Sequence, residues 1–275
     1  MQEKQVVTGI DCHAHIMAVD LPLAPEIHSR PIRDVSATEY ISVLGAHGIS
    51  HGVLTAPSFY GPNNTLLLEA LKHYPNHLRG TVIADPNMAK ADLERQLLSM
   101  REHGVEGIRL NWIKKKSIPD ITSVEYRTLL GIAQDLGLHI ELFLEDHLQE
   151  HVVPQILASG ATLVLDHFGN PDSKLGIHST SFQNTLRGLS DGQIWVKLSA
   201  PYRLGSLDGV SIQPYIDALI AANPKQLVWA SDWPWLSHEN VFTYADCIDW
   251  IQSAVDDSTI WEDIFINNPK TLFHF

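Results

Sequence analysis

In the stretch Val6-Val7-Thr8-Gly9-Ile10-Asp11-Cys12-His13-Ala14-His15, an apolar, β-branched run gives way to alternating polar side chains. On a strand, every second side chain shares a face, so Asp11, His13 and His15 are expected to point the same way. Two imidazoles and a carboxylate at one strand end can ligate a metal or donate hydrogen bonds to a polarised carbonyl. A half-buried edge strand with a wet polar face would carry the same residues. What separates the two readings is whether distant parts of the chain supply matching groups.

They do. Apolar runs at 52–57, 80–84, 105–111, 138–144, 162–165, 194–199 and 227–230 read as seven further strands. Helical patterns lie between them. Ser36-Ala37-Thr38-Glu39 reads as a capping box, and its helix is closed by Gly48. Asn64 precedes Leu67, Leu68 and Leu71 at helical spacing, and Leu93, Leu97 and Met100 precede Gly104. A second capping box starts near Thr122-Ser123-Val124-Glu125, and helices follow at about 150–159, around Phe182, Leu186 and Leu189, at about 215–221, and from about 239 and 259. Eight strand-then-helix units predict a closed (β/α)8 TIM-like barrel in one domain spanning 1–275. An open doubly wound sheet is the alternative, weakened because no glycine-rich phosphate loop follows the first strand. The Pro- and His-rich loop at 16–35 is long enough to be functional.

Under the barrel reading, His13, His15, Ser58, Arg109, Asn111, His167, Lys197, Ser199 and Asp232 all fall at carboxyl ends of strands, the end that carries the active site in such barrels. The net charge of −13 argues against nucleic acid and anionic membranes as partners. It leaves room for a small anionic substrate, because a few arginines decide that locally. The two cysteines, Cys12 and Cys247, follow no metal or disulfide spacing, the N-terminal residues show no signal-peptide pattern, and no apolar run spans a bilayer. A cytoplasmic enzyme is expected. Oligomeric state is not legible.

Asp11-Cys12-His13-Ala14-His15, Ala56-Pro57-Ser58-Phe59-Tyr60-Gly61, Gly107-Ile108-Arg109-Leu110-Asn111, Leu165-Asp166-His167-Phe168-Gly169-Asn170-Pro171, Val196-Lys197-Leu198-Ser199 with Tyr202-Arg203, and Ser231-Asp232-Trp233-Pro234 together resemble the amidohydrolase superfamily, in its 2-pyrone-4,6-dicarboxylate lactonase-like branch. The likeness runs along nearly the whole chain. In metal-dependent members it implies His13, His15, His167 and Asp232 as ligands. Here, however, Phe143 stands where relatives commonly carry an inward His, and the fourth strand has no lysine to bridge two metals. The resemblance therefore implies either no cofactor, as in the dicarboxylate lactonases, or one Zn.

What the resemblance implies chemically is hydrolysis of a carboxylated lactone, 2-pyrone-4,6-dicarboxylate or a close analogue. Asp232 would be the general base, and His13, His15 and His167 would donate to the carbonyl oxygen. Asp232 could instead merely cap the following helix. Arg109 and Arg203 suit bidentate grip of carboxylates, although Arg109 could be a buried salt bridge and Arg203 a solvated loop residue. Ser58 and Tyr60 could hydrogen-bond the substrate or simply form a turn, and Asn111 and Ser199 join the substrate-binding candidates. Lys197 could bind substrate or pair with Glu141 inside the barrel. Asp11 is expected to orient a histidine. Lys114-Lys115-Lys116 reads as a solvated loop with a minor role attracting anions. Among the unassigned histidines, His238, six residues beyond Asp232, stands out. The alternative activities are a lactone isomerase acting on aldarate-derived lactones such as D-galactarolactone, or a mononuclear zinc hydrolase or decarboxylase. A barrel kept only for binding would not need both Asp232 and His167.

Overall fold

Eight strands pair in sequence order, each parallel to the next: β1 (Ile10–Ala14), β2 (His51–Thr55), β3 (Leu78–Val82), β4 (Val105–Asn111), β5 (His139–Phe143), β6 (Leu163–Leu165), β7 (Ile194–Leu198) and β8 (Leu227–Trp229). The sheet closes where Asp232 N–H donates to His13 O (2.9 Å) and His15 N–H donates to Trp233 O (2.8 Å). The fold is thus the (β/α)8 barrel, and the open-sheet alternative falls. This computed structural model describes residues 6–206 and 211–275. Among the described residues no helix is long and apolar enough to cross a membrane.

Helices α1 (Ala37–Ala46), α2 (Thr65–His73), α3 (Lys90–Glu102), α4 (Val124–Leu136), α5 (Asp146–Ala158), α6 (Thr180–Ser190), α7 (Gln213–Ala222) and α8 (Tyr244–Ala254) alternate with the strands. The first capping box is half realised. Ser36 caps the Glu39 N–H, but the Glu39 carboxylate turns away to Arg33, at 2.9 and 3.0 Å. Ser123 caps α4, and a complete box forms at Thr243 and Asp246, so α8 begins later than the expected 239. Residues 236–238, in the segment before α8, help line the cavity above the barrel.

Alternation sorts the strand residues into two sets. Ile108 and Leu110, Ile140 and Leu142, and Leu163 and Leu165 belong to the main core against the helices. Ile10, Cys12, Val53, Val164 and Val228 join Leu272 and Phe273 in a separate apolar cluster inside the barrel. Above that plug the interior turns polar. Gly107 leaves room for the His139 ring, since a Cβ there would lie 2.2 Å from its Nε2. The next level holds Arg109, Glu141 and Lys197, all buried.

Alternation fails at β1, and this matters for function. The pairing passes from Asp11↔Gly52 to Ala14↔Leu54, so β1 carries one extra residue. A bulge of this kind re-aims side chains. His13 stays inside, against Lys197, Glu141 and Asp166. Asp11 is left outside, where its carboxylate accepts from Ser231 N (2.9 Å), Ser231 Oγ (2.6 Å) and Tyr244 OH (2.8 Å). The expected shared face does not exist, and Asp11 orients no imidazole. It clamps Ser231, the residue before Asp232.

Candidate active site

At the carboxyl ends of the strands, His13, His15, His167 and Asp232 converge as the sequence pattern suggested. Nε2 of His13 and His15 are 3.3 Å apart, and Asp232 Oδ1 lies 3.6 and 3.4 Å from them. The His167 ring sits 5.1 Å from that of His13 and stands edge-on to Phe143 at 4.8 Å. Chain reversal above β6, β7 and β8 places His167, Ala200 and Asp232 in the left-handed region, with φ of 50°, 50° and 58°. Strain of this sort, about 1 kcal/mol or more per residue, persists only where the surroundings over-determine it.

The two oxygens of Asp232 have different tasks. Oδ2 accepts from the Tyr202 hydroxyl and from Arg203 Nη2 (3.2 Å), while Oδ1 faces the histidines. Burial disfavours the charged carboxylate. The neighbouring His167 ring and the Arg203 guanidinium outweigh it and hold Asp232 well below the usual carboxylate range. The group is ionised at neutral pH.

Hydrogen-bond direction settles what each imidazole can offer. Lys197 Nζ lies 3.0 Å from His13 Nδ1. An ammonium can only donate, so in that contact Nδ1 presents its lone pair, whereas Asp166 Oδ1, 3.2 Å from the same nitrogen, could only accept a proton from it. His15 Nδ1 meets the Thr55 carbonyl at 2.7 Å, an acceptor only, so a neutral His15 presents a lone pair at Nε2. The chain runs from Lys197 through His13 and His15 to Thr55. With Lys197 donating to His13 and with both rings neutral, His13 donates toward the site and His15 accepts; the expectation had both donating to a carbonyl.

Other expected site residues divide sharply. Ser58, Asn111, Arg109 and Arg203 border a cavity of about 110 Å³ above Asp232 and His15. It adjoins a groove of about 900 Å³ that shares Ser58, Arg109, Asn111, His28 and Lys114 with it. Tyr60 does not reach the cavity. Its hydroxyl is held by the N–H (2.9 Å) and C=O (2.6 Å) of Ala18, clasping the 16–35 loop. Ser199 is sealed beneath His167, with Oγ 2.8 Å from its Nδ1. Lys197 is sealed too, between Glu141 and Asp166, so it is the barrel pairing and not a substrate contact that forms. Arg109 faces Ala56 O (3.0 Å), Asp166 (3.2 Å) and Glu141 (3.3 Å) with one N–H from each nitrogen, so the buried ion pairing does form, and the second N–H of Nη1 and of Nη2 remains for the cavity it borders.

Among the lining residues that were not site candidates, three carry polar or aromatic groups set against the substrate-binding candidates. His28 comes from the long loop, Lys114 from the lysine run taken as solvated, and Phe143 packs under the Arg203 guanidinium at 5.3 Å. His238 does line the cavity, with its ring 4.6 Å from that of Tyr202. Tyr202 itself was visible only as the neighbour of Arg203 in the family motif.

A family model for amidohydrolases matches residues 10–275. The chain belongs to the amidohydrolase family. Over 99% of its length it is 24% identical to the 2-pyrone-4,6-dicarboxylate hydrolase of Comamonas testosteroni, covering 92% of that protein. It is 23% identical to the 4-sulfomuconolactone hydrolase of Rhizobium radiobacter over 96% of this chain and 89% of that one. Among solved structures, a probable 2-pyrone-4,6-dicarboxylic acid hydrolase from Acinetobacter baumannii, with citric acid bound, superposes with a TM-score of 0.90 at 29% identity, covering 98% of this chain and all (100%) of that one. A putative 2-pyrone-4,6-dicarboxylic acid hydrolase from Pseudomonas putida gives 0.87 at 32% identity over 98% of each chain. This amidohydrolase is an enzyme of the hydrolase class.

Zinc can be tested against this donor set. The 3.3–3.6 Å spacing of His13 Nε2, His15 Nε2 and Asp232 Oδ1 matches the edge of a tetrahedron with zinc bonds of about 2.0–2.1 Å. The donor chemistry does not match. A ligand must turn a lone pair to the metal, and His13 turns its N–H. With Lys197 donating to His13 Nδ1, the residues as arranged do not fit a zinc ion.

These buried rings make the fold acid-labile. Burial first, and then the Lys197 ammonium, push His13 down to about 4, and burial takes His167 down as well. The unfolded chain binds the proton below its ordinary 6.5, and the folded chain refuses it until about 4. Stability is therefore complete above pH 6.5 and is lost as pH falls toward 4, by about 3 kcal/mol for His13 alone. Thermal melts from pH 7.5 to 4.5 should show the midpoint dropping before carboxylates titrate. A flat midpoint across that window would remove the neutral-ring assignment.

Proposed function

We propose that this amidohydrolase opens the ring ester of a small lactone carrying two anionic groups, with 2-pyrone-4,6-dicarboxylate as first substrate and a sulfonated muconolactone as the nearest competitor. The observation that carries the reading is Asp232. It is an ionised carboxylate on the cavity floor, with Oδ2 held by Tyr202 and Arg203 and Oδ1 left facing His13, His15 and the cavity.

A water beside Asp232 Oδ1 and His15 Nε2 gives up its proton to the carboxylate while attacking the lactone carbonyl; collapse of the tetrahedral intermediate breaks the ring C–O bond, and the proton held by Asp232 passes to the released ring oxygen. His13 Nε2–H lies on the other side, positioned to donate to the oxygen that gains charge. His167 joins it if Ser199 donates to Nδ1 and leaves the proton on Nε2. Each such donor can contribute about a hundredfold in rate. Arg203 and Lys114 offer positive charge to the anionic substituents, and Ser58 and Asn111, which border the same cavity, supply neutral hydrogen bonds. Arg109 adds positive potential and two further N–H donors at the same wall. Full-length similarity to hydrolases named for these lactones supports the same substrate class.

The test is hydrolysis followed by ultraviolet absorbance, with chelator-stripped protein and each lactone in turn. Turnover of the dicarboxylate with uptake of one water sustains the reading. Inertness toward both lactones, or an isomerised product, removes it. Arg203→Met should lower kcat/KM by about 10- to 100-fold, because a charged hydrogen-bond partner is lost from substrate and base alike. Unchanged kinetics would return Arg203 to a solvated loop residue.

A further inference from the structure

The interior charge cluster below the site has a consequence of its own. Lys197 Nζ sits among Glu141, Asp166 (3.3 Å) and His13 Nδ1 (3.0 Å), with no exposed side-chain surface. Asp166 Oδ1 also lies 3.2 Å from His13 Nδ1, within reach of the same nitrogen. Two groups therefore compete for one ring nitrogen. A carboxylate would take Nδ1–H and leave a lone pair at Nε2, the arrangement by which carboxylates prepare histidine ligands for zinc. An ammonium does the reverse.

We propose that Lys197 is a positioning residue that selects the Nε2–H tautomer of His13, making it a hydrogen-bond donor to the reacting carbonyl, and that this same contact is what denies the His13, His15 and Asp232 triangle to zinc. Without the ammonium, Asp166 Oδ1 is already in place to accept Nδ1–H. His13 Nε2 then turns a lone pair toward His15 Nε2 at 3.3 Å and Asp232 Oδ1 at 3.6 Å, and His167 stands within 4.8 Å of His13 and Asp232 as a further donor. The barrel is one buried contact away from a zinc site.

The inference rests on the proposed donor role of His13, but its readouts need no substrate, so its failure and that of the lactonase reading are separate results. The first measurement is the ring ¹⁵N–¹H correlation spectrum of the full chain, with His13 assigned by His13→Gln. A neutral ring protonated on Nε2 is expected, and a proton on Nδ1 overturns the proposal. The second uses Co²⁺ as a visible probe for zinc. The unaltered protein should take up no stoichiometric ion with tetrahedral absorption. Lys197→Met/Glu141→Gln, which removes one positive and one negative charge together, should bind one equivalent. Tetrahedral cobalt in the unaltered protein, or a folded double variant that stays colourless, overturns it. If the double variant does not fold, the spectrum of the unaltered protein decides alone.

Discussion

Asp232→Asn is expected to reduce turnover by about 10²–10⁴-fold while the protein still folds, the range that a positioned general base contributes. The amide keeps the shape of the carboxylate and can still accept the Tyr202 hydroxyl at one position. It cannot take a proton from water. Its left-handed backbone is also tolerated, since Asn adopts φ near 58° more readily than most residues. The measurement is kcat beside a thermal melt for both proteins. Turnover within a few-fold of the parent would remove Asp232 as the base and transfer the task to His15, whose Nε2 lies beside Asp232 Oδ1. Loss of folding together with activity would instead mean that the Oδ2 contacts to Tyr202 and Arg203 are mainly structural.

Lys197→Met should cost about 3–5 kcal/mol of stability, the usual penalty for removing one partner of a buried ion pair. Three charged groups face Lys197 or its partners across the interior: Glu141, Asp166 and Arg109. Glu141 is held down to about 2 and Asp166 well below the usual range. Burial opposes this in both, and Lys197 offsets it most for Asp166 and, after the opposing charge of Asp166, for Glu141. With the ammonium gone, Arg109 alone must serve two buried carboxylates, and one of them will take a proton. Chemical denaturation should show the loss at pH 7.5 and a smaller loss at pH 5, where protonating the orphaned carboxylate is easier. A change under 1 kcal/mol at both pH values would show that Arg109 suffices and that Lys197 contributes little.

The barrel and the functional end were legible because both rest on local, repeating signals. Eight apolar runs alternating with helical spacings admit few architectures. Polar residues at the ends of those runs, from His13 to Asp232, mark one rim. The site's inner wiring was not legible in the same way. Tyr60 looked like a substrate contact because its turn lies at a strand end, yet a hydroxyl that meets both backbone groups of Ala18 is committed to a loop 42 residues away. Lys114 looked solvated because three lysines in a row usually are. Its place on the cavity wall depends on how the loop after β4 folds back, where the Lys114 N–H donates to Glu145 at 2.6 Å.

The sequence by itself therefore determined the (β/α)8 barrel, the rim that carries the chemistry, and the gathering of His13, His15, His167 and Asp232 there. Only the tertiary structure decided how those groups are used. One extra residue in β1 puts Asp11 outside the barrel and His13 inside, an inversion that no two-residue periodicity can announce. Lys197, 184 residues from His13, then decides which nitrogen of that ring bears the proton. Hydrogen-bond direction belongs to pairs of groups brought together by closure of the barrel, and neither member carries it alone.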